Sequence, residues 1–189
     1  MVGQLKEENN NNNTSDISSD KWVEYFKNLH QEKTVASPKL EAQILEQLRC
    51  LPDNDSDILN QEISTLEIIK ATKKIKNNKS CGEDSIQGEM IKYSVQHIQF
   101  VIQKMFNLIF TTKCYPKLWC LGHIVPIYKA GDNSEPSNYR GITVSSAMGK
   151  LFNIILNERL TTFLEKHEII DHCQIGFRKS CRTSDHLFV

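Results

Sequence analysis

At 189 residues, 39% hydrophobic and 24% charged, the chain has apolar material for one domain with a real core, or one domain and a tail. Twenty-three Lys plus Arg balance 23 Asp plus Glu, which excludes a strong global positive field, although residues 113–189 carry +3 and the part before them −3. No apolar run approaches the roughly 18 residues of a membrane span, and no apolar leader opens the chain, so an intracellular protein with free thiols is expected.

Residues 1–19, "MVGQLKEENNNNNTSDISS", are polar and Asn-rich and are expected to form a disordered linker. Residues 20–60 read as a helical linker. Asp20 is a plausible N-cap for "KWVEYFKNLH", which places Trp22, Val23, Phe26 and Leu29 on one helix face suited to docking on a core. "PKLEAQILEQLRCL" repeats the pattern with Leu40, Ile44, Leu45 and Leu48. Asp53, Asp55 and Asp57 resemble the start of a calcium loop, but Ile58 stands at its sharp-turn glycine and Ser64 at its closing glutamate, so calcium is rejected.

Residues 61–189 form the main unit. Ser64 or Thr65 caps a helix over "LEIIKATKKIKNN", apolar at Leu66, Ile69 and Ile75 with lysines opposite. "KSCGEDSIQGEMIKYS" begins as a polar turn and becomes helical at about Ile86; a second helix, "HIQFVIQKMFNLIFTT", is apolar nearly all round and reads as a core element. "HIVPIYK" and "YRGITV" are strands around a polar loop, a hairpin with a long, mobile tip. The last long helix follows, with Phe152, Ile155, Leu156, Leu160, Phe163 and Leu164 in register. Gly149-Lys150 fails as a phosphate loop, because Val144 occupies the first glycine position and Leu151 follows the lysine. Cys114, Cys120, His172, Cys173 and Cys181 form a zinc site only if the fold gathers them.

The hairpin brings two cations to facing strand ends, Lys129 and Arg140. A lysine point charge and an arginine fork can hold a triphosphate from two sides. Downstream, Arg178, Lys179 and Arg182 are further cations for a template or nucleic-acid backbone.

These positions fall in an order that resembles the reverse transcriptases of non-LTR (LINE-like) retrotransposons. The matching residues are the turn from Lys79 to Asp84, Pro116 and Trp119, Pro126-Ile127 with Lys129, Gly131-Asp132, Asn138-Tyr139-Arg140-Gly141-Ile142, Gly149-Lys150-Leu151, and Gln174 with Gly176-Phe177-Arg178 and Asp185. Cys81 and Glu83 depart from usual prolines, Ser85 from a usual glycine, Gly141 from a frequent proline and Cys120 from a common base. Without those two prolines the turn is expected to be looser.

The resemblance implies an α+β fold: a helix-rich first half, the fingers hairpin and long helix of a right-hand polymerase, and an incomplete palm. It implies that Lys129 and Arg140 clamp the incoming deoxynucleoside triphosphate, and that RNA template and DNA primer are partners. An endonuclease domain upstream and palm and thumb downstream are expected in the complete polyprotein. Magnesium is implied for the complete enzyme and none for this piece. The nine aspartates include no adjacent pair, so the family's paired catalytic aspartates are missing and no catalytic residue is assigned. A non-catalytic RNA-binding module, an inactive fragment and an unrelated helical interaction protein remain alternatives.

Overall fold

The computed structural model describes residues 17–31, 42–43, 45–46, 59–171, 173–176, 178, 181 and 184. The Asn-rich segment, most of the second linker helix, the Asp53–Asp57 run, and Cys50, His172, Phe177, Lys179, Arg182 and Asp185 lie outside these residues.

Helix α1 (Ser19–Leu29) starts two residues earlier than expected: Ser18, not Asp20, is the N-cap and accepts from the Lys21 amide. Trp22 is buried, whereas Val23 and Leu29 are exposed, so the buried stripe is narrower than the sequence pattern.

Helix α2 (Thr65–Lys73) opens on a capping box in which the Ser64 hydroxyl accepts from the Glu67 amide and the Glu67 carboxylate accepts from the Ser64 amide. Its buried face is Ile68, Ala71 and Thr72, while Leu66, expected inside, is 67% exposed.

The two expected middle helices are one, α3 (Gly88–Thr112), 25 residues long. No glycine or proline interrupts it, and the Ser94 hydroxyl bonds back to the Met90 carbonyl instead of capping a new start. Nor is α3 buried all round. Ile91, Val95, Ile102, Phe106 and Ile109 face the core, and Met90, Tyr93, Phe100, Val101 and Leu108 are exposed.

After a short 3-10 turn (Lys117–Cys120), β1 (Gly122–Tyr128) pairs antiparallel with β2 (Tyr139–Ser145), from Gly122 opposite Ser145 to Tyr128 opposite Tyr139. Helix α4 (Ala147–Lys166) follows at once, capped by Ser146. The core joins α2, α3 and α4, with Ile63, Ile68, Phe106 and Leu151 wholly buried; Phe106 meets Phe152 at 5.1 Å between ring centroids. The mixture of helices with a small antiparallel sheet agrees with an α+β class.

A buried arginine ties this core together. Arg159 points inward from α4, where the apolar pattern favours Leu160, which is instead 49% exposed. Its guanidinium grips the Glu67 carboxylate at 2.7 and 3.0 Å and donates to the carbonyls of Gln61 and Glu62. The same group thus closes the segment entering α2 and joins α2 to α4.

Candidate functional site

The hairpin rises from the core at a tightly fitted base. Gly82 approaches Ser145 and Ser146 so closely that a Cβ there would lie 2.7 Å from the Ser146 amide nitrogen, which only glycine permits. The neighbouring Asp84 accepts from the Ser146 hydroxyl at 2.6 Å, and Glu83 pairs with His123 of β1 at 2.7 Å. The turn expected to be loose is therefore tied to the hairpin by three successive residues. Gly149 plays a related part, since a Cβ on it would stand 3.1 Å from Trp119 and from the Tyr115 hydroxyl. Its place in the motif is a packing requirement, not a phosphate loop.

At the other end, the polar connection carries its own hydrogen bonds. The Lys129 amide donates to the Asn138 carbonyl at 2.9 Å, and the Asn138 side chain donates to the Asp132 carbonyl at 2.8 Å. Gly131 takes φ +102°, and a Cβ there would meet the Asn138 side chain. Asp132 accepts from both the amide and the hydroxyl of Ser134, and the amide bond in particular holds its carboxyl below the usual range. The Tyr139 hydroxyl donates to the Asn133 carbonyl at 2.9 Å.

Strand alternation then sorts the side chains. Ile127 lies opposite Arg140, and Lys129 follows the end of β1 two residues on, so continued alternation would set Lys129 and Arg140 diagonally on one face, roughly 7–8 Å apart at Cα. Tyr139 faces the other way, buried under α1. Both cations are exposed, and among the described residues neither has an ion-pair partner. The tip carboxylates are engaged elsewhere, Asp132 with Ser134 and Glu135 with Lys21 at 3.2 Å. Among the described residues the two cations are thus left without a neutralising carboxylate.

Arg178 is placed differently. It forms a two-pronged pair with Glu165 of α4 at 2.7 and 3.1 Å, and these bonds raise its affinity for its proton further. The turn after α4 is thereby fastened to the helix. The structure does not bring Arg178 to the Lys129 and Arg140 face through any contact among the described residues, and Lys179 and Arg182 lie outside them. Cys114, Cys120, Cys173 and Cys181 are free and exposed. Among the described residues no three His, Cys, Asp or Glu side chains are grouped to hold a metal. No helix described is long and apolar enough to cross a membrane.

Sequence reasoning from alternation puts Lys129 and Arg140 at the ends of the two strands, where the structure has them. It misses the α1 contact with Tyr139, which joins segments more than 100 residues apart, and the inward-facing Arg159. The capping box at Ser64 and Glu67 is the available signal for a carboxylate in need of a cation.

Among the described residues, the site is thus a two-stranded hairpin standing on a helical core ahead of a long helix. The chain is homologous over about two thirds of its length to RNA-directed DNA polymerases of non-LTR retrotransposons. It is 29% identical over 118 residues to a probable RNA-directed DNA polymerase from transposon BS, and 30% over 122 residues to one from transposon X-element, both of Drosophila melanogaster. The RNA-directed DNA polymerase of the mobile element jockey from the same fly is 26% identical over 125 residues. These matches cover 62%, 64% and 65% of this chain but only 13%, 13% and 14% of the relatives, so the chain spans about one seventh of their length. No protein-family model matches the chain.

Proposed function

We propose that this chain is the fingers portion of an RNA-directed DNA polymerase of a non-LTR retrotransposon, and that its hairpin contacts the triphosphate of the incoming deoxynucleotide. The observation that carries the reading is the pair Lys129 and Arg140, unpaired among the described residues and on one face of the strand ends. Lys129 contributes a compact charge and Arg140 a fork able to bind two phosphate oxygens, which orients the chain of phosphates as pyrophosphate departs. The homology supports nucleic acid as the partner class, with RNA template and DNA primer lying against the fingers in the complete enzyme. Arg178, Lys179 and Arg182 would lie toward the template, with Arg178 acting through the turn it fastens to α4.

Divalent metal chemistry belongs to the complete polymerase, whose paired aspartates have no counterpart in this sequence. The chain by itself is accordingly a binding element without polymerase activity, and magnesium-dependent nucleotide incorporation by the purified chain would refute that. The triphosphate reading is tested by titrating dATP into the chain and into the Lys129→Ala/Arg140→Ala variant. Removal of both cations weakens binding by about tenfold or more if the reading is right. Equal affinity of the two proteins refutes it.

A further inference from the structure

We infer that α1 is a brace for the ligand-facing end of the hairpin, with Trp22 as a positioning residue that acts on Lys129 and Arg140 through Tyr139. The inference rests on the triphosphate reading for its consequence, though not for its structural content.

A two-stranded hairpin is marginal in water unless something covers one of its faces. The core holds only the base, at Gly82, Glu83 and Asp84; Lys129 and Arg140 lie at the far end, with about 3.3 Å of rise per strand residue between. There α1 supplies the cover. Trp22 meets the Tyr139 ring edge-on at 5.0 Å and 89°, and stacks on Phe26 at 5.8 Å. Ile17, Trp22 and Tyr139 form a buried cluster separate from the α2, α3 and α4 core. Phe26 lies over Gly141, where a Cβ would come 2.6 Å from its Cε1.

The coupling to the cations follows from the pleat. Tyr139 and Arg140 are consecutive and project to opposite faces, so fixing the Tyr139 ring beneath Trp22 fixes the direction in which Arg140 leaves the strand. The Tyr139 hydroxyl also closes the tip at Asn133, upstream of which Lys129 begins the connection. Lys21 adds a second hold, donating to the Ser134 carbonyl at 3.1 Å and to Glu135. As an exposed pair it is weak as a fastener. It does give Glu135, between the two cations in sequence, a partner other than Lys129 or Arg140.

The test uses the full chain, hydrogen exchange and dATP titration. Trp22→Ala accelerates exchange of the amides in residues 129–139 by about tenfold while those of α3 stay protected. It weakens dATP binding by about fivefold to tenfold, the scale of one lost aromatic pair with its burial. Trp22→Phe restores most of both effects. In the Lys129→Ala/Arg140→Ala background, Trp22→Ala adds no further loss of affinity, because it acts through those residues. Unchanged exchange in residues 129–139 overturns the brace, as does a loss of protection that extends equally through α3, or an additive effect on affinity. Should the double cation variant bind dATP as well as the parent, the triphosphate reading fails and the brace is judged on exchange alone.

Discussion

Asp84 accepts a hydrogen bond from the Ser146 hydroxyl at 2.6 Å, and the same hydroxyl accepts from the Gly149 amide to cap α4. One buried serine therefore joins the turn before α3, the base of the hairpin and the start of the last long helix. Ser146→Ala removes the cap and leaves Asp84 without that donor. The expected loss is about 2 kcal/mol, combining a helix cap with a charge-assisted hydrogen bond. In urea unfolding this appears as a lower midpoint with an unchanged slope.

Arg159 is held more deeply, and its removal is more damaging. Arg159→Ala leaves Glu67 without its cation and strips donors from the Gln61 and Glu62 carbonyls. Because Arg159 is buried but Glu67 only half-buried, breaking this pair costs about 2 kcal/mol, below the range of a fully buried one. Arg159→Met, which keeps volume, recovers part of the packing but not the carbonyl bonds. Thermal unfolding of the two variants should rank alanine below methionine and both below the parent.

The same pair sets a pH dependence. Burial pushes the Glu67 carboxyl up, but hydrogen bonds from Arg159 and from the amide and hydroxyl of Ser64 outweigh it and leave the group below its ordinary value. Its value is lower folded than unfolded, so its stabilising contribution is complete above the unfolded carboxylate pKa of about 4.3 and disappears as pH falls through the folded value. Glu67→Gln is less stable than the parent at pH 7, and the difference narrows on going to pH 3. Urea midpoints at the two pH values check this, and a constant difference contradicts the linkage.

How much of this is legible beforehand depends on range. Strand alternation places Lys129 and Arg140 on facing ends, because period two is local and the turn residues between them are distinctive. Helical stripes do less well. Leu66 and Leu160 fit their apolar patterns yet are exposed, since a stripe two residues wide leaves the inward angle open and the capping carboxylate of Glu67 draws Arg159 inward instead. The close contacts of Gly82 with Ser146 and of Gly149 with Trp119 are tertiary facts that carry no periodic signal. Neither does the meeting of Trp22 with Tyr139.

Ser85 shows a departure from family usage explained by backbone geometry. It takes φ +54°, a left-handed conformation that glycine enters freely, and glycine is the residue that the resemblance to reverse transcriptases leads one to expect there. Ser85→Gly should stabilise the chain by about 0.5–1 kcal/mol, the relief of Cβ strain less the added freedom of the unfolded chain. A higher thermal midpoint with an unchanged hairpin exchange pattern is the expected result.

Gly141 is the departure with functional reach. Where the resemblance leads one to expect proline, this chain has no side chain, and the Phe26 ring occupies the space. Gly141→Ala puts a methyl group at 2.6 Å from Phe26 Cε1, so the ring must turn away, loosening its stack on Trp22. Because the clashing atom is the far end of a side chain, the expected loss is only about 1 kcal/mol. The informative measurement is the double-mutant cycle with Phe26→Ala. If Phe26 on Gly141 is the contact that seats α1, Gly141→Ala is nearly neutral in the Phe26→Ala background, giving a coupling of about 1 kcal/mol. Independent, additive effects would mean that α1 is seated on the hairpin without the Phe26 contact.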